Sequence, residues 1–129
     1  MYSLAIHADA KADLDDLRTK TPDVATRVLA ILQEIQGDQR LLDSLLDHGF
    51  GENQTEKFHV NKWVELWKKQ IDIWRLRIWD LLPEYRVIYA YDIQNRCFYV
   101  LGVLPREFDY DINDARSKRI LQAYTDLFN

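Results

Sequence analysis

The chain has 129 residues, of which 47% are hydrophobic and 29% are charged, and its formal net charge is −4. That length suffices for a domain with its own core, and the composition excludes a disordered chain. No apolar run approaches the roughly 20 residues that span a bilayer, and the first residues turn acidic without the pattern of a secretory signal. A single cysteine, Cys97, excludes an internal disulfide and a cysteine-rich metal site. We therefore expect one domain, residues 1–129, in the cytoplasm and away from membranes.

The first half of the sequence predicts a short strand followed by helices. Residues 2–7 form an apolar run that suits a strand, and Asp9 can cap the helix after it. Thr21 and Pro22 make a strong helix start, with Thr21 as the cap and Pro22 in the first turn, and an apolar stripe follows them. A further short helix is predicted over 39–47.

The second half is richer in residues that favour strands. Strands are predicted over 56–68, 71–80, 85–92 and 97–104, the first two being either separate or one long bent strand. The turns "LLPE" at 81–84 and "DIQNR" at 92–96 are short, which favours an antiparallel meander.

A final helix is predicted over 114–127, with Asn113 as its cap and a buried side made of Ile120, Ala123, Tyr124 and Leu127. The predicted fold is therefore an α+β domain. It has a twisted antiparallel sheet, N-terminal helices packed on one face of that sheet, and a C-terminal helix.

Basic residues concentrate in the middle of the chain. Residues 1–54 carry five basic and ten acidic side chains, whereas residues 57–106 carry nine basic and five acidic ones. The whole chain does not have the charge of a nucleic-acid-binding protein, but this middle segment is compatible with a polyanionic partner.

The predicted strands place several arginines on one face of the sheet. Side chains alternate along a strand, so Arg75, Arg77 and Trp79 share the face opposite Trp74 and its apolar neighbours. An unpaired guanidinium is costly in a core, so we expect this face to be open and basic. Arg86 lies on the next strand and Arg106 at the end of the one after. The simpler alternative is that these arginines are solvated or paired with acids such as Asp80, Glu84 and Asp92.

Three short segments of this region share a pattern of arginines followed by aromatic residues: "RLRIW" at 75–79, "YRVIY" at 85–89 and "REFDY" at 106–110. Together they resemble the RelE/ParE superfamily, the toxins of type II toxin–antitoxin systems. Their order and separation match that family over roughly residues 57–112, whereas the N-terminal half agrees only in the order of its elements. The resemblance implies a RelE-like fold and a cognate antitoxin.

The resemblance also implies an activity, the cleavage of messenger RNA at the ribosome without a metal or another cofactor. Arg75 and Arg77 stand where the family contacts RNA phosphates, and Arg86 and Arg106 where it stabilises the reacting phosphate. Tyr110 stands at the tyrosine used for base stacking or proton transfer. These five residues are the predicted catalytic residues. Guanidinium groups suit the dianionic transition state of RNA cleavage because they bind phosphate oxygens bidentately.

One departure from the family concerns the general base. Pro105 precedes Arg106, where many relatives have histidine, so we consider His59 as a substitute from a neighbouring strand, the alternative being that it is a structural polar residue. The predicted RNA-binding residues are Lys57, His59, Lys62 and Trp79. The two lysines are alternatively only solvated.

Two other functions remain open on the same fold. One is a non-enzymatic toxin that inhibits DNA gyrase by protein contacts, as ParE relatives do. The other is a degenerate member that only binds a partner. The absent histidine favours the first of these, whereas the four arginines with Tyr110 favour RNA cleavage.

Overall fold

The computed structural model describes residues 1–128, which form one five-stranded sheet and five helices. The strands are β1 (Ser3–Ile6), β2 (Phe58–Lys62), β3 (Ile73–Ile78), β4 (Tyr85–Asp92) and β5 (Cys97–Pro105). The helices are α1 (Ala8–Lys20), α2 (Pro22–Gln36), α3 (Gln39–Ser44), α4 (Val64–Trp67) and α5 (Ala115–Phe128). A 3-10 turn over Arg106–Phe108 follows β5. The predicted α+β class is confirmed.

The sheet has the order β1-β5-β4-β3-β2, and its pairing is mixed. Strands β2 to β5 form the predicted antiparallel meander. The prediction of a wholly antiparallel sheet is wrong, because β1 lies parallel to β5, with Leu4 opposite Phe98. Two parallel neighbouring strands must be joined by a long connection. Between β1 and β5 that connection consists of helices α1 to α4 and strands β2 to β4.

Residues 56–68 do not form one strand. Strand β2 ends at Lys62, and the chain then makes the short helix α4. Trp63 and Leu66 are both buried, and a separation of three residues places them on the same side of a helical turn. Leu66 N–H donates to the Trp63 carbonyl at 3.0 Å. The segment therefore has the composition of a strand, although Trp63 and Leu66 have the spacing of a helical turn.

Two of the predicted helix caps are wrong. His7, not Asp9, caps α1, because the His7 Nδ1 accepts from the Asp9 N–H at 3.0 Å. Asp114, not Asn113, caps α5, because its carboxylate accepts from the Arg116 N–H at 2.8 Å. Each true cap lies within two residues of the predicted one, where several side chains can accept a hydrogen bond from the first helical turn.

The sheet is covered on both faces. Helices α1, α2 and α3 bury a first core against Trp74, Leu76 and Val87. Helix α5 buries a second core on the opposite face against Ile88 and the aromatic residues Trp63 and Phe108. The expected open face is therefore only partly open, because apolar residues of the meander hold α5 over one part of it. Leu127, predicted on the buried side of α5, is 38% exposed.

Both edges of the sheet carry hydrogen bonds from outside the strands. Along β1, the Gln36 side chain donates to the Leu4 carbonyl at 3.0 Å, and Gln39 bonds both backbone groups of Tyr2. Along β2, Gly49 N–H donates to the Val60 carbonyl at 2.7 Å and Val60 N–H donates to Phe50. These contacts occupy backbone groups of the two outer strands.

An ion pair joins helices from opposite faces around the end of β5. The Arg119 guanidinium on α5 donates to both oxygens of Asp13 on α1, at 2.8 and 2.6 Å, and the Val103 N–H donates to the same carboxylate at 2.9 Å. Gly102 allows this close approach, since a Cβ there would lie 2.6 Å from the Ile120 side chain.

We expect Asp13→Ala to lower the free energy of unfolding by about 2–3 kcal/mol, because it removes this pair and leaves the Val103 N–H without its acceptor. Urea unfolding measures the change. Asp15→Ala is the matched control on the same helix, because its pair with Arg18 is largely exposed and should contribute about 0.5 kcal/mol or less. Equal losses in the two variants would contradict the assignment.

No helix within residues 1–128 combines the length and the apolar character that crossing a membrane requires.

Candidate active site

Three of the predicted arginines converge on one carboxylate. Arg77 on β3 lies directly opposite Arg86 on β4, and Glu84 lies just before β4. The Glu84 Oε1 lies 2.6 Å from the Arg77 Nε and 3.1 Å from an Arg86 terminal nitrogen, and Oε2 lies 3.6 Å from the Arg106 Nε. We call these four residues the Glu84 cluster. Because three cations share one anion, the cluster keeps a positive charge.

The members of the Glu84 cluster differ in their freedom to move. The Glu84 and Arg86 side chains are almost buried, whereas the Arg106 side chain is 75% exposed. A long exposed side chain that makes one ion pair at 3.6 Å can move onto an incoming anion at little cost. Arg86 and Glu84 therefore form the fixed part of the cluster and Arg106 the adaptable part.

Arg75 is buried without a counter-ion, contrary to the expectation that it would lie on an open face. It is 8% exposed and donates to the His59 carbonyl at 3.1 Å. A terminal nitrogen lies 3.3 Å from the His59 Nδ1, and with the Asn61 amide oxygen facing Arg75 it also donates there at 2.9 Å. Burial lowers the Arg75 pKa, and no carboxylate of the described residues offsets this effect. The guanidinium is thus positioned by neutral acceptors, and its charge is uncompensated.

Tyr110 contacts Arg86 at a different terminal nitrogen from the one that faces Glu84. Its hydroxyl oxygen accepts from an Arg86 terminal nitrogen at 3.3 Å. Asp109 and Tyr110 both have positive φ, of 46° and 55°, and this left-handed bend after the 3-10 turn brings the ring back towards the sheet. Burial raises the Tyr110 pKa, so the phenol is protonated at neutral pH. The carboxylate and the phenol therefore flank one guanidinium.

A cavity of about 300 Å³ opens beside Arg86 on the Tyr110 side. Its wall includes Asn61, Trp63, Arg75, Arg86 and Tyr110, and Lys62, Val64 and Glu65 complete it. We call it the Arg75 cavity. A separate open groove runs along Arg77, Glu84 and Arg106 past the turn before β4. Arg86 belongs to the Glu84 cluster and also lines the cavity, so the two adjoin at its side chain.

Of the other predicted RNA-binding residues, Lys57 lies away from this site, whereas Lys62 lines the Arg75 cavity and Trp79 lines the groove. Lys57 pairs with Glu34 of α2 at 3.3 Å, away from the arginines. The Lys62 ammonium lies over the Trp67 ring, 4.1 Å from its centroid. Trp79 stacks on His59 with ring centroids 5.5 Å apart, and Arg77 lies over its ring. Trp79 therefore supports His59 and Arg77.

His59 is buried, and its Nε2 is out of contact with solvent and without a hydrogen-bond partner. Burial lowers the His59 pKa and the nearby Arg75 charge lowers it further, so the imidazole is neutral at pH 7. In this position the His59 ring can hold Arg75, but its Nε2 cannot meet a substrate. This argues against the prediction that His59 takes the proton of the substrate.

The lowered pKa of His59 predicts a dependence of stability on pH. The unfolded state binds a proton near the ordinary value of about 6.5, whereas the folded state resists it, so stability should fall as the pH drops below about 6.5. His59→Gln should lose less stability than the parent protein between pH 7 and pH 5. Urea midpoints across that range measure the difference, and parallel curves would contradict the prediction.

Sequence reasoning missed two features of the site. The sequence pattern indicates Glu84 only as a partner that neutralises arginines, and it gives Asn61 and Trp63 no role in the site. The signal for Glu84 is its place directly before the "YRVIY" segment, two residues before Arg86. The positions of Asn61 and Trp63 depend on the pairing of β2 with β3, in which Asn61 lies opposite Arg75.

Comparisons with known proteins were made at three levels. No protein-family model, no curated protein and no solved structure matches this chain. The likeness to the RelE/ParE toxins therefore rests on the three segments and their order alone.

Proposed function

We propose that this protein is a metal-independent endoribonuclease that cleaves messenger RNA, and that it is the toxin of a type II toxin–antitoxin pair. The observation that supports the proposal is the arrangement around Arg86, which has a carboxylate on one side and a protonated phenol on the other. The excess of guanidinium groups suits a substrate that brings its own negative charge.

The reaction that fits these groups is transphosphorylation. The 2′-hydroxyl loses its proton to Glu84, and its oxygen forms a bond to phosphorus. The bond from phosphorus to the 5′-oxygen breaks, and that oxygen takes the proton of Tyr110. The products are a 2′,3′-cyclic phosphate and a 5′-hydroxyl, and a proton passed from Glu84 to Tyr110 through water restores the starting state. A general base and a general acid each contribute about a hundredfold to ten-thousandfold in such steps.

In this mechanism the arginines stabilise the pentacoordinate phosphorane. Arg86 lies between the base and the acid, so it is the group that would contact the reacting phosphate throughout. Arg77 and Arg106 hold the Glu84 carboxylate, and the exposed Arg106 can transfer to a phosphate oxygen as charge develops there. Donors aimed at developing charge contribute about 3–4 kcal/mol each when the site excludes water.

Induced production of the protein alone tests the proposal. We expect growth arrest and truncated transcripts, and the purified protein should release 2′,3′-cyclic phosphate ends from RNA, with ribosomes supplied in a parallel reaction. Intact transcripts at confirmed soluble production would refute it. If purified gyrase and supercoiled plasmid instead accumulate cleaved complexes, the non-enzymatic alternative replaces RNA cleavage.

The proposal includes a cognate antitoxin that keeps the protein inactive. An acidic segment of such a partner would complement the exposed Arg106 and the positive charge of the Glu84 cluster. Co-purification with the product of an adjacent reading frame tests this part.

A further inference from the structure

A long groove leads from the Glu84 cluster to helix α2. Its first section, of about 420 Å³, is the open groove past the turn before β4. A second section, of about 690 Å³, lies between α2 and the end of β3. Gln54 and residues 78–80 line both sections, so the two form one continuous surface. We call it the Trp79 groove.

The section beside α2 has no cation that lacks an acceptor. The Arg27 guanidinium donates to two backbone carbonyls just after β3, at 2.6 and 3.2 Å, and Lys57 pairs with Glu34 at 3.3 Å. The carboxylates of Glu56 and Asp80 also line this section. Two cations therefore face three carboxylates, and a phosphate backbone would find more repulsion than attraction there.

The section beside the Glu84 cluster has one adaptable charge. Arg77 and Arg106 line it together with Glu84 and Glu107. Arg77 is held by Glu84 at 2.6 Å, whereas Arg106 is 75% exposed and makes its ion pair at 3.6 Å. An occupant of the whole groove therefore needs one acidic group, at the Arg106 end, and no strong charge elsewhere.

Apolar side chains line the groove between these charges. Ala30 is exposed on α2, and Ile31 and Trp79 are only partly buried. At the other end, Leu82 is 84% exposed in the turn between β3 and β4. Because these side chains lie along one groove, they offer a ligand a run of apolar contacts.

The rim of the groove also offers unused backbone groups. Thr55 and Glu56 lie outside the strands, and among residues 1–128 no hydrogen bond engages their N–H or carbonyl groups. Leu82, across the groove, is in the same condition. An extended peptide presents a donor and an acceptor at every residue, so it can use such groups, whereas RNA has no matching backbone.

We propose that the Trp79 groove binds an extended segment of a partner protein, whose apolar residues face Ile31 and Trp79 and whose acidic residue reaches Arg106. A cognate antitoxin would be such a partner. The segment would lie against Glu84 and exclude RNA from the Glu84 cluster, and this consequence alone rests on the proposed function. RNA is the less favourable occupant because the section beside α2 repels phosphate.

Peptides selected from a phage-displayed random library on the immobilised protein test the groove. We expect the selected peptides to combine apolar residues with an acidic one. Ala30→Glu should weaken their binding about tenfold, because it places a carboxylate on the apolar wall, as measured by fluorescence polarisation. Ala12→Glu is the matched control, the same change at an exposed alanine of α1 outside the groove, and should bind like the parent protein.

A spectroscopic readout locates the peptide. In nitrogen–proton spectra, a selected peptide should move the Trp79 indole signal and the amide signals of Thr55 and Glu56. The indole signals of Trp67 and Trp74, which lie outside the groove, should stay nearly unchanged. Unmoved Trp79, Thr55 and Glu56 signals would place the peptide elsewhere and overturn the proposal.

Other outcomes separate this proposal from its alternatives. Basic selected peptides, or equal affinities in Ala30→Glu and Ala12→Glu, would overturn it. If Ala30→Glu weakens the binding of an uncleavable RNA instead, the groove carries RNA and the proposal fails. If acidic, apolar peptides bind as expected and RNA is never cleaved, the groove stands and the nuclease proposal fails. If RNA is cleaved and no selected peptide is sensitive to Ala30→Glu, the nuclease stands and the groove fails.

Discussion

Glu84→Gln should lower the rate of RNA cleavage about a thousandfold and at the same time tighten the binding of RNA. The amide has nearly the shape of the carboxylate but cannot accept the 2′-hydroxyl proton. It also removes the one anion that Arg77, Arg86 and Arg106 share, so the site becomes more positive and attracts phosphate more strongly.

Single-turnover cleavage and the Kd for an uncleavable RNA measure the two effects separately. Glu34→Gln is the matched control, because it removes a surface carboxylate that pairs with Lys57 away from the site. Unchanged cleavage in Glu84→Gln would exclude this residue as the base. Weaker RNA binding would show instead that the carboxylate holds the arginines in a binding conformation.

Arg86→Ala should lower cleavage about a hundredfold to a thousandfold and relieve the growth arrest, because Arg86 contacts both the proposed base and the proposed acid. Arg86→Lys should not restore activity. The guanidinium contacts Glu84 and Tyr110 through two nitrogens in one plane, whereas the lysine ammonium has only one nitrogen.

Arg106→Ala provides the comparison within the same cluster. It should also relieve the growth arrest, and its melting temperature should equal that of the parent protein because the side chain is 75% exposed. Thermal unfolding of both variants separates lost chemistry from lost folding. Full toxicity in Arg86→Ala at an unchanged melting temperature would contradict the assigned role of this residue.

The sequence was sufficient to predict most of the fold because its signals are local. Alternation placed Trp74 and Leu76 against the helices and Arg75, Arg77 and Arg86 on the other face, as found. Strand β4 matches its predicted bounds. The parallel pairing of β1 and the second core beneath α5 depend on long-range contacts, which periodicity does not report.

The site was harder to predict, since its chemistry depends on which charges meet. Arg75 and Arg77 are two positions apart on β3 and lie on the same face of the sheet, but only Arg77 reaches a carboxylate. Arg75 is buried because Asn61 and His59 lie beside it on β2, and no local pattern encodes that register. Sequence reasoning therefore identified the arginines but not the difference between them.

The hydrogen bonds along the outer strands restrict how another protein can attach. Gln36 occupies the Leu4 carbonyl of β1, Gln39 occupies the backbone of Tyr2 just before β1, and Gly49 and Phe50 occupy backbone groups of β2. A partner that extends the sheet by adding its own strand would first have to displace these contacts. If the proposed function is correct, a ligand that covers the arginines would inhibit the protein without displacing these contacts. Such a ligand would have to recognise the charge and shape of the side chains. It would compete with RNA because both would bind the same arginines.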